Sequence, residues 1–260
     1  MWSRVSVWLG IGVATTLAAA APQALPARID AHVARDAAAL IDIRRDLHRH
    51  PELSGQESRT AGVIAGALRA QGLDVTTGVG GHGVVGLLQG GRPGPLVAYR
   101  ADMDAVRSTA PDPVEFASVV PGVRHICGHD LHMTVAIGLA RALAAVRGDL
   151  AGRVLFVFQP AEERATGARA MLDAGLFDRE RPAVIFGLHT APFATGLIAS
   201  TAGRMMHANA IAPGVVNDEV RFRRARTALI AHLGDAAYFD LAEPPPGFSE
   251  DFGEFQKVVP

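Results

Sequence analysis

The sequence predicts an α/β domain in three layers, with a sheet between two layers of helices. Two continuous apolar runs, 153–159 and 183–188, have the length and composition of strands that are buried on both faces. Residues 132–146, ahead of the first run, are almost entirely apolar or small, which is typical of a buried helix. The chain has 260 residues, which is ample length for one packed core of this kind.

Helices are predicted on both sides of this central part. Residues 27–49 carry apolar residues at helical spacing and stop before Pro51, as helices usually do. Ser54 and Glu57 fit a capping box that opens the next helix. Near the end of the chain, 218–233 has the pattern of an amphipathic helix.

Three short strands are predicted between the early helices and the apolar runs, at 73–77, 83–88 and 96–99. Residues 90–95 consist of glycine, proline and one arginine, which is the composition of a hairpin turn. This pattern predicts that the second and third of these strands pair with each other.

The N-terminus has the pattern of a secretory signal peptide, predicted at residues 1–21. Arg4 precedes an apolar segment at 5–17, and four alanines follow at 18–21. A membrane anchor is the alternative, but the apolar segment is shorter than the roughly 20 residues that a spanning helix needs. We therefore expect residues 22–260 to form the mature domain, located in the periplasm or secreted, with no membrane association after signal removal.

Charge and cysteine content narrow the possible partners. The net charge is −1 and the sequence has no basic run, so we expect no nucleic-acid partner. Cys127 is the only cysteine and cannot form an internal disulfide. It is therefore a buried apolar side chain, a free thiol or a metal ligand.

Potential metal ligands follow several of the predicted strands. Residues 127–132 read Cys-Gly-His-Asp-Leu-His, Glu162 and Glu163 follow the first apolar run, and His189 follows the second. Because open α/β sheets bind ligands at the carboxyl ends of their strands, these side chains are candidates for one site. Asp102 and Asp104 follow the strand at 96–99, and each is a ligand, a residue that orients a ligand, or a loop cap.

Five segments occur in an order and spacing that resemble a known family. They are Arg45–Glu52, Arg100–Ala105, Cys127–Asp130, Pro160–Glu163 and Gly187–His189. Together they resemble the amidohydrolase branch of the dinuclear metallopeptidases, which includes hippurate hydrolase, N-acyl-amino-acid amidohydrolases and plant auxin-conjugate hydrolases. The resemblance covers roughly residues 40–206 and implies a zinc-exopeptidase-like catalytic domain with a mostly parallel mixed sheet.

The resemblance also implies roles for individual residues and a cofactor. Cys127 resembles the thiolate that bridges two metal ions, Glu162 resembles the general base, and Asp102 resembles a carboxylate that orients a metal-binding imidazole. The remaining implied ligands are His129, Glu163 and His189. One or two divalent ions per chain are expected, with zinc or manganese favoured and cobalt or nickel also open. The expected substrate is a small N-acyl amino acid or peptide-like molecule.

The resemblance is incomplete after residue 206. Members of this family usually carry a lid domain inserted after a segment like 202–206, and neither that insertion nor the distal metal-binding histidine is found. Residues 22–206 match well, whereas 207–260 resemble a shortened C-terminal part of the catalytic domain. The alternative function is therefore a truncated, catalytically impaired metal-binding domain, and loss of the lid argues against the family's usual dimer.

Overall fold

A computed structural model of the chain describes residues 24–191, 196–200, 204–206, 215–241 and 250–259. The predicted signal peptide, residues 1–21, lies outside the described residues and stays a prediction. Within the described ranges, no helix is both long and apolar enough to cross a membrane.

The helices begin and end as follows along the chain: α1 (Leu25–Arg49), α2 (Ser58–Arg69), α3 (His129–Ala145), α4 (Gly167–Asp173), α5 (Glu219–Leu233) and α6 (Gly253–Gln256). The strands are β1 (Asp74–Val79), β2 (Gly83–Gln89), β3 (Arg92–Asp102), β4 (Val106–Arg107), β5 (Val123–Arg124), β6 (Ala151–Gln159), β7 (Val184–Gly187), β8 (Ile198–Ser200), β9 (Arg204–Met206), β10 (Val215–Val216) and β11 (Tyr238–Asp240). The predicted helices at 27–49 and 218–233 are confirmed as α1 and α5.

The central sheet has the strand order β1-β2-β6-β3-β7. Strand β2 runs antiparallel to both of its neighbours, and β6, β3 and β7 are parallel to one another. Four of these strands therefore share one direction, which confirms the mostly parallel mixed sheet. The carboxyl ends of β3, β6 and β7 consequently meet at one edge.

Strand β6 lies at the centre of the sheet and is buried on both faces. Phe156 and Phe158 belong to the core beneath α1, α2 and α3, whereas Leu155 and Val157 belong to a second core that contains residues of α4 and α6. Because successive side chains of a strand point to opposite faces, one continuous apolar run supplies both cores. The three-layer α/β/α architecture is confirmed.

The hairpin predicted at residues 90–95 is wrong. Strand β6 pairs with β2 on one side and with β3 on the other, so β2 and β3 are not neighbours. The glycines instead allow two backbone segments to pass close to each other, because a Cβ at Gly91 or Gly94 would overlap the backbone of residues 148–152. The segment crosses the start of β6 at close range, which glycine alone permits.

The capping box predicted at Ser54 and Glu57 is also wrong. The Ser54 hydroxyl donates to Asp104 Oδ2 at 2.6 Å instead of to the helix. The N-terminus of α2 is capped by Glu52, whose carboxylate accepts from the backbone N–H groups of Arg59 and Thr60. Ser54 and Glu57 are thereby free to bind loops from elsewhere in the chain.

Candidate metal centre

The turn before α3 places Cys127 and His129 side by side. Gly128 has φ +81°, a left-handed conformation that glycine adopts without strain, and α3 begins directly after it at His129. The helix therefore starts three residues earlier than the sequence pattern predicted. His129 is fully buried, whereas Cys127 is only partly covered.

The loop after β6 carries Glu162 and Glu163 in a constrained turn. Ala161 has φ +52°, a conformation that costs a residue with a Cβ about 1–3 kcal/mol and persists only where the surroundings enforce it. Its N–H donates to Glu57 at 2.8 Å, and the N–H groups of Glu162 and Glu163 donate to the Asp104 carboxylate at 3.2 and 3.1 Å. Glu57 and Asp104 thus hold this loop, which identifies Asp104 as a loop anchor among the roles left open for it.

The structure brings every predicted site residue to the carboxyl edge of the sheet. Potential ligand atoms of Cys127, His129 and Glu163 lie within 4.8 Å of one another, and a second group within the same distance comprises Asp102, His129, His132 and His189. Glu162 lies beside both groups, with Oε2 at 3.7 Å from His129 Nε2. Their individual roles as ligands and base stay predictions, but their convergence is a property of the fold.

His129 shows that this cluster fits a cation. Its Nδ1 lies 2.7 Å from the carbonyl oxygen of Asp104, which can only accept, so Nδ1 carries the proton. In the neutral imidazole that metal binding requires, Nε2 presents a lone pair; this nitrogen is buried and has no hydrogen-bond partner among the described atoms. It faces carboxylate oxygens of Asp102, Glu162 and Glu163, each at 3.7 Å. A buried nitrogen lone pair surrounded by carboxylates is the donor set that a divalent metal ion requires.

His132, which is part of the 127–132 motif, belongs to the same cluster, although the family resemblance assigned it no role. It lies one helical turn after His129 in α3, and this i, i+3 spacing was the available signal. The backbone N–H of Thr190 donates to Nε2 at 2.8 Å, so Nδ1 carries the proton and donates to Asp102 Oδ1 at 2.6 Å. Because both ring nitrogens are hydrogen-bonded, His132 orients Asp102 in this structure.

Arg100 binds the Asp102 carboxylate and was not among the site residues predicted from the sequence. Its guanidinium donates to Asp102 at 2.8 Å, to Glu250 at 2.6 Å and to Gln159 at 2.8 Å, and lies 3.4 Å from Asp251. Arg100 and Asp102 are two residues apart on β3, so both side chains point to the same face. Although burial opposes ionisation, the charges of His129 and Arg100 hold the pKa of Asp102 well below its ordinary value.

The electrostatics of the site differ among its members. Burial, followed by the charge of Glu250, raises the pKa of Glu162 to about 10, and burial with a hydrogen bond to Glu163 raises the pKa of the Cys127 thiol. Burial alone would lower the pKa of His129, but neighbouring carboxylates, chiefly Asp102, raise it to about 10. Burial and the nearby His132 lower the pKa of His189. In the metal-free site, Cys127, His129 and Glu162 are therefore protonated at neutral pH, and a bound cation would favour loss of these protons.

We expect metal affinity to increase with pH between about pH 6 and 8. The raised pKa values mean that Cys127 and His129 are protonated across this range without metal, and a ligand must lose its proton to bind. Each displaced proton contributes about a tenfold gain in apparent affinity per pH unit. Titration calorimetry with zinc in two buffers of different ionisation enthalpy counts the protons released. An affinity that is constant across this range would contradict the assignment of these residues as ligands.

The sequence also matches a known protein family across the region that contains this cluster. The model of peptidase family M20/M25/M40 matches residues 98–260, which contain all of the predicted site residues. The chain belongs to this family of metal-dependent hydrolases. The recognition of the metallopeptidase family from the sequence is confirmed.

Individual relatives are similar over part of their length. The chain is 40% identical over 171 residues to thermostable carboxypeptidase 2 of Saccharolobus solfataricus, covering 64% of this chain and 43% of that protein. It is 43% identical over 154 residues to N-acetylcysteine deacetylase of Bacillus subtilis, covering 59% and 40%. The matches thus span about two fifths of the length of these curated relatives.

A solved structure supports the same fold. The YXEP protein of Bacillus subtilis, described as a dinuclear metal binding peptidase from the M20 family, aligns with a TM-score of 0.68 and 28% identity. The alignment covers 89% of this chain and 87% of that chain. The three-layer catalytic domain is therefore shared with a protein that is described as binding two metal ions.

Proposed function

We propose that this chain is a metal-dependent amidohydrolase that cleaves the amide bond of an N-acyl amino acid or a related conjugate. The observation that carries the proposal is the position of Glu162, a carboxylate only 8% exposed that lies beside the ligand cluster with Oε2 3.7 Å from His129 Nε2. The similarity to a deacetylase and a carboxypeptidase supports an amide as the bond that is cleaved.

The residues of the chain divide the work between holding the cofactor and moving protons. Cys127, His129, Glu163 and His189 would hold one or two divalent ions, and these ions when bound supply Lewis acidity that polarises a carbonyl and acidifies water. Glu162 takes the proton from the attacking water and delivers it to the leaving amine. Asp104 and Glu57 keep Glu162 in place by anchoring the backbone of its loop.

The donor set favours zinc, with manganese as the second choice. A thiolate and two imidazoles suit zinc, whereas the carboxylate of Glu163 also suits manganese. Cobalt and nickel bind similar sets of donors, so the availability of each metal in the cell contributes to which one the site contains.

Hydrolysis before and after metal removal tests the proposed function. Purified protein loaded with zinc or manganese is incubated with N-acetyl and N-benzoyl amino acids, and the released amino acid is quantified. We expect chelation to lower the rate at least about 100-fold, because the Lewis acid is removed, and re-addition of metal to restore it. Turnover that chelation leaves unchanged would contradict the proposal. A folded, metal-loaded protein without turnover would instead favour the catalytically impaired metal-binding domain.

We also propose that the protein is exported. The support is the sequence pattern of residues 1–21, with one positive charge, a short apolar segment and four alanines. Export to the periplasm or the medium would expose the site to the metal ions of that compartment. Fractionation of cells that express the full chain, with N-terminal sequencing of the exported product, tests this proposal.

A further inference from the structure

Thr190 makes three hydrogen bonds around the candidate metal centre. Its N–H donates to Nε2 of His132 at 2.8 Å, and its hydroxyl donates to the backbone carbonyl of Cys127 at 2.7 Å. Its own carbonyl accepts from Nδ1 of His189 at 2.6 Å. One residue therefore contacts two predicted ligands and the histidine that orients Asp102.

These bonds connect two loops that the central sheet leaves unconnected. His189 follows β7, a four-residue strand that pairs with β3 at one edge of the described sheet. Cys127 lies in the turn before α3, outside the described strands. Because no pairing among the described strands links the segments that contain Cys127 and His189, the separation of these two residues depends on contacts between their loops.

The side chain of Thr190 is also fixed by packing. A Cβ at Gly128 would lie 2.5 Å from Thr190 Oγ1 and 3.1 Å from its Cγ2, so the threonine lies directly against the glycine. The Cys127 turn thus presents its carbonyl to the hydroxyl at close range. The hydrogen bond between the Thr190 hydroxyl and the Cys127 carbonyl joins half-buried groups and is not a surface interaction.

We propose that Thr190 is a positioning residue that sets the separation of Cys127 and His189. The inference rests on the proposed function insofar as both residues are taken as metal ligands. Thr190 supplies no ligand atom and acts through the two residues that it holds. Outer groups that fix the orientation of ligands typically contribute about 10- to 100-fold to metal affinity.

Thr190→Val and Thr190→Ser separate the hydroxyl from the shape of the side chain. Valine keeps the branched shape and the backbone N–H but removes the bond to the Cys127 carbonyl, whereas serine retains the hydroxyl. Cobalt(II) is the probe, because its absorption reports both ligand geometry and the thiolate of Cys127. We expect Thr190→Val to bind cobalt about 10- to 100-fold more weakly, with a shifted thiolate-to-cobalt absorption band. Thr190→Ser is expected to remain within about threefold of the unmodified protein and to keep its spectrum.

Circular dichroism of the metal-free variants shows that they are folded, and Thr190→Ala replaces Thr190→Val if the latter is not. Cobalt affinity and spectrum that are unchanged in the folded variant would overturn the positioning role. Loss of folding in both variants would also overturn it, since the hydroxyl would then serve stability. Turnover of N-acyl amino acids by the unmodified protein is measured separately. Its absence together with a shifted Thr190→Val spectrum would overturn the proposed function alone.

Discussion

Glu162→Gln is expected to lower turnover of an N-acyl amino acid by about 10²- to 10⁴-fold while metal content stays unchanged. Glutamine keeps the size of the side chain but cannot accept the proton of the attacking water. Glu162 is only 8% exposed, so bulk water has little access to replace it. In the metal-free protein, burial and the charge of Glu250 raise the pKa of Glu162 to about 10, and a nearby cation would lower it towards neutrality.

Glu180→Gln is the matched control for this substitution. Glu180 is an exposed glutamate paired with Arg153 on the surface, and its replacement should leave turnover within about twofold. Rates are measured with saturating zinc, and bound metal is quantified by mass spectrometry for each variant. Loss of metal from Glu162→Gln would make Glu162 a ligand, and unaltered turnover would show that it is not the base.

Arg100→Met is expected to lower the free energy of unfolding by about 3–5 kcal/mol. The arginine is 2% exposed and bonds to Asp102 and Glu250, with Asp251 at 3.4 Å. Methionine fills a similar volume but leaves three buried carboxylates without their shared cation. Unpaired charges of this kind cost more than the pairing itself contributes.

Arg153→Met provides the comparison for this effect. Arg153 is an arginine on the neighbouring strand β6 that pairs with the exposed Glu180, and its loss should cost no more than about 1 kcal/mol. Unfolding by urea is followed by circular dichroism in the presence of a chelator, so that metal binding does not contribute to the stability difference. A loss below about 1 kcal/mol in Arg100→Met would mean that the cluster carries little net charge.

The site illustrates what local patterns can indicate. Cys127, Glu163 and His189 each follow or precede a regular element, and parallel strands carry such positions to one edge whatever the details of the fold. The Arg100 cluster could not be anticipated in this way. Arg100 and Glu250 are 150 positions apart, and nothing in the surroundings of either residue identifies the other as its partner.

The sequence by itself determined the three-layer class, the helices α1 and α5, the buried strand β6 and the set of residues that converge at the candidate metal centre. These depend on hydrophobic period and on the order of elements, which are local properties. Only the tertiary structure decided that β6 separates β2 from β3, that Ser54 and Glu57 bind distant loops, and that His132 and Thr190 form hydrogen bonds with residues of the candidate metal centre. A strand or a buried polar group has many compatible partners, and the folded chain determines which of them lies close enough to pair with it. A short segment of sequence contains no information about which residue a hundred positions away will be its neighbour.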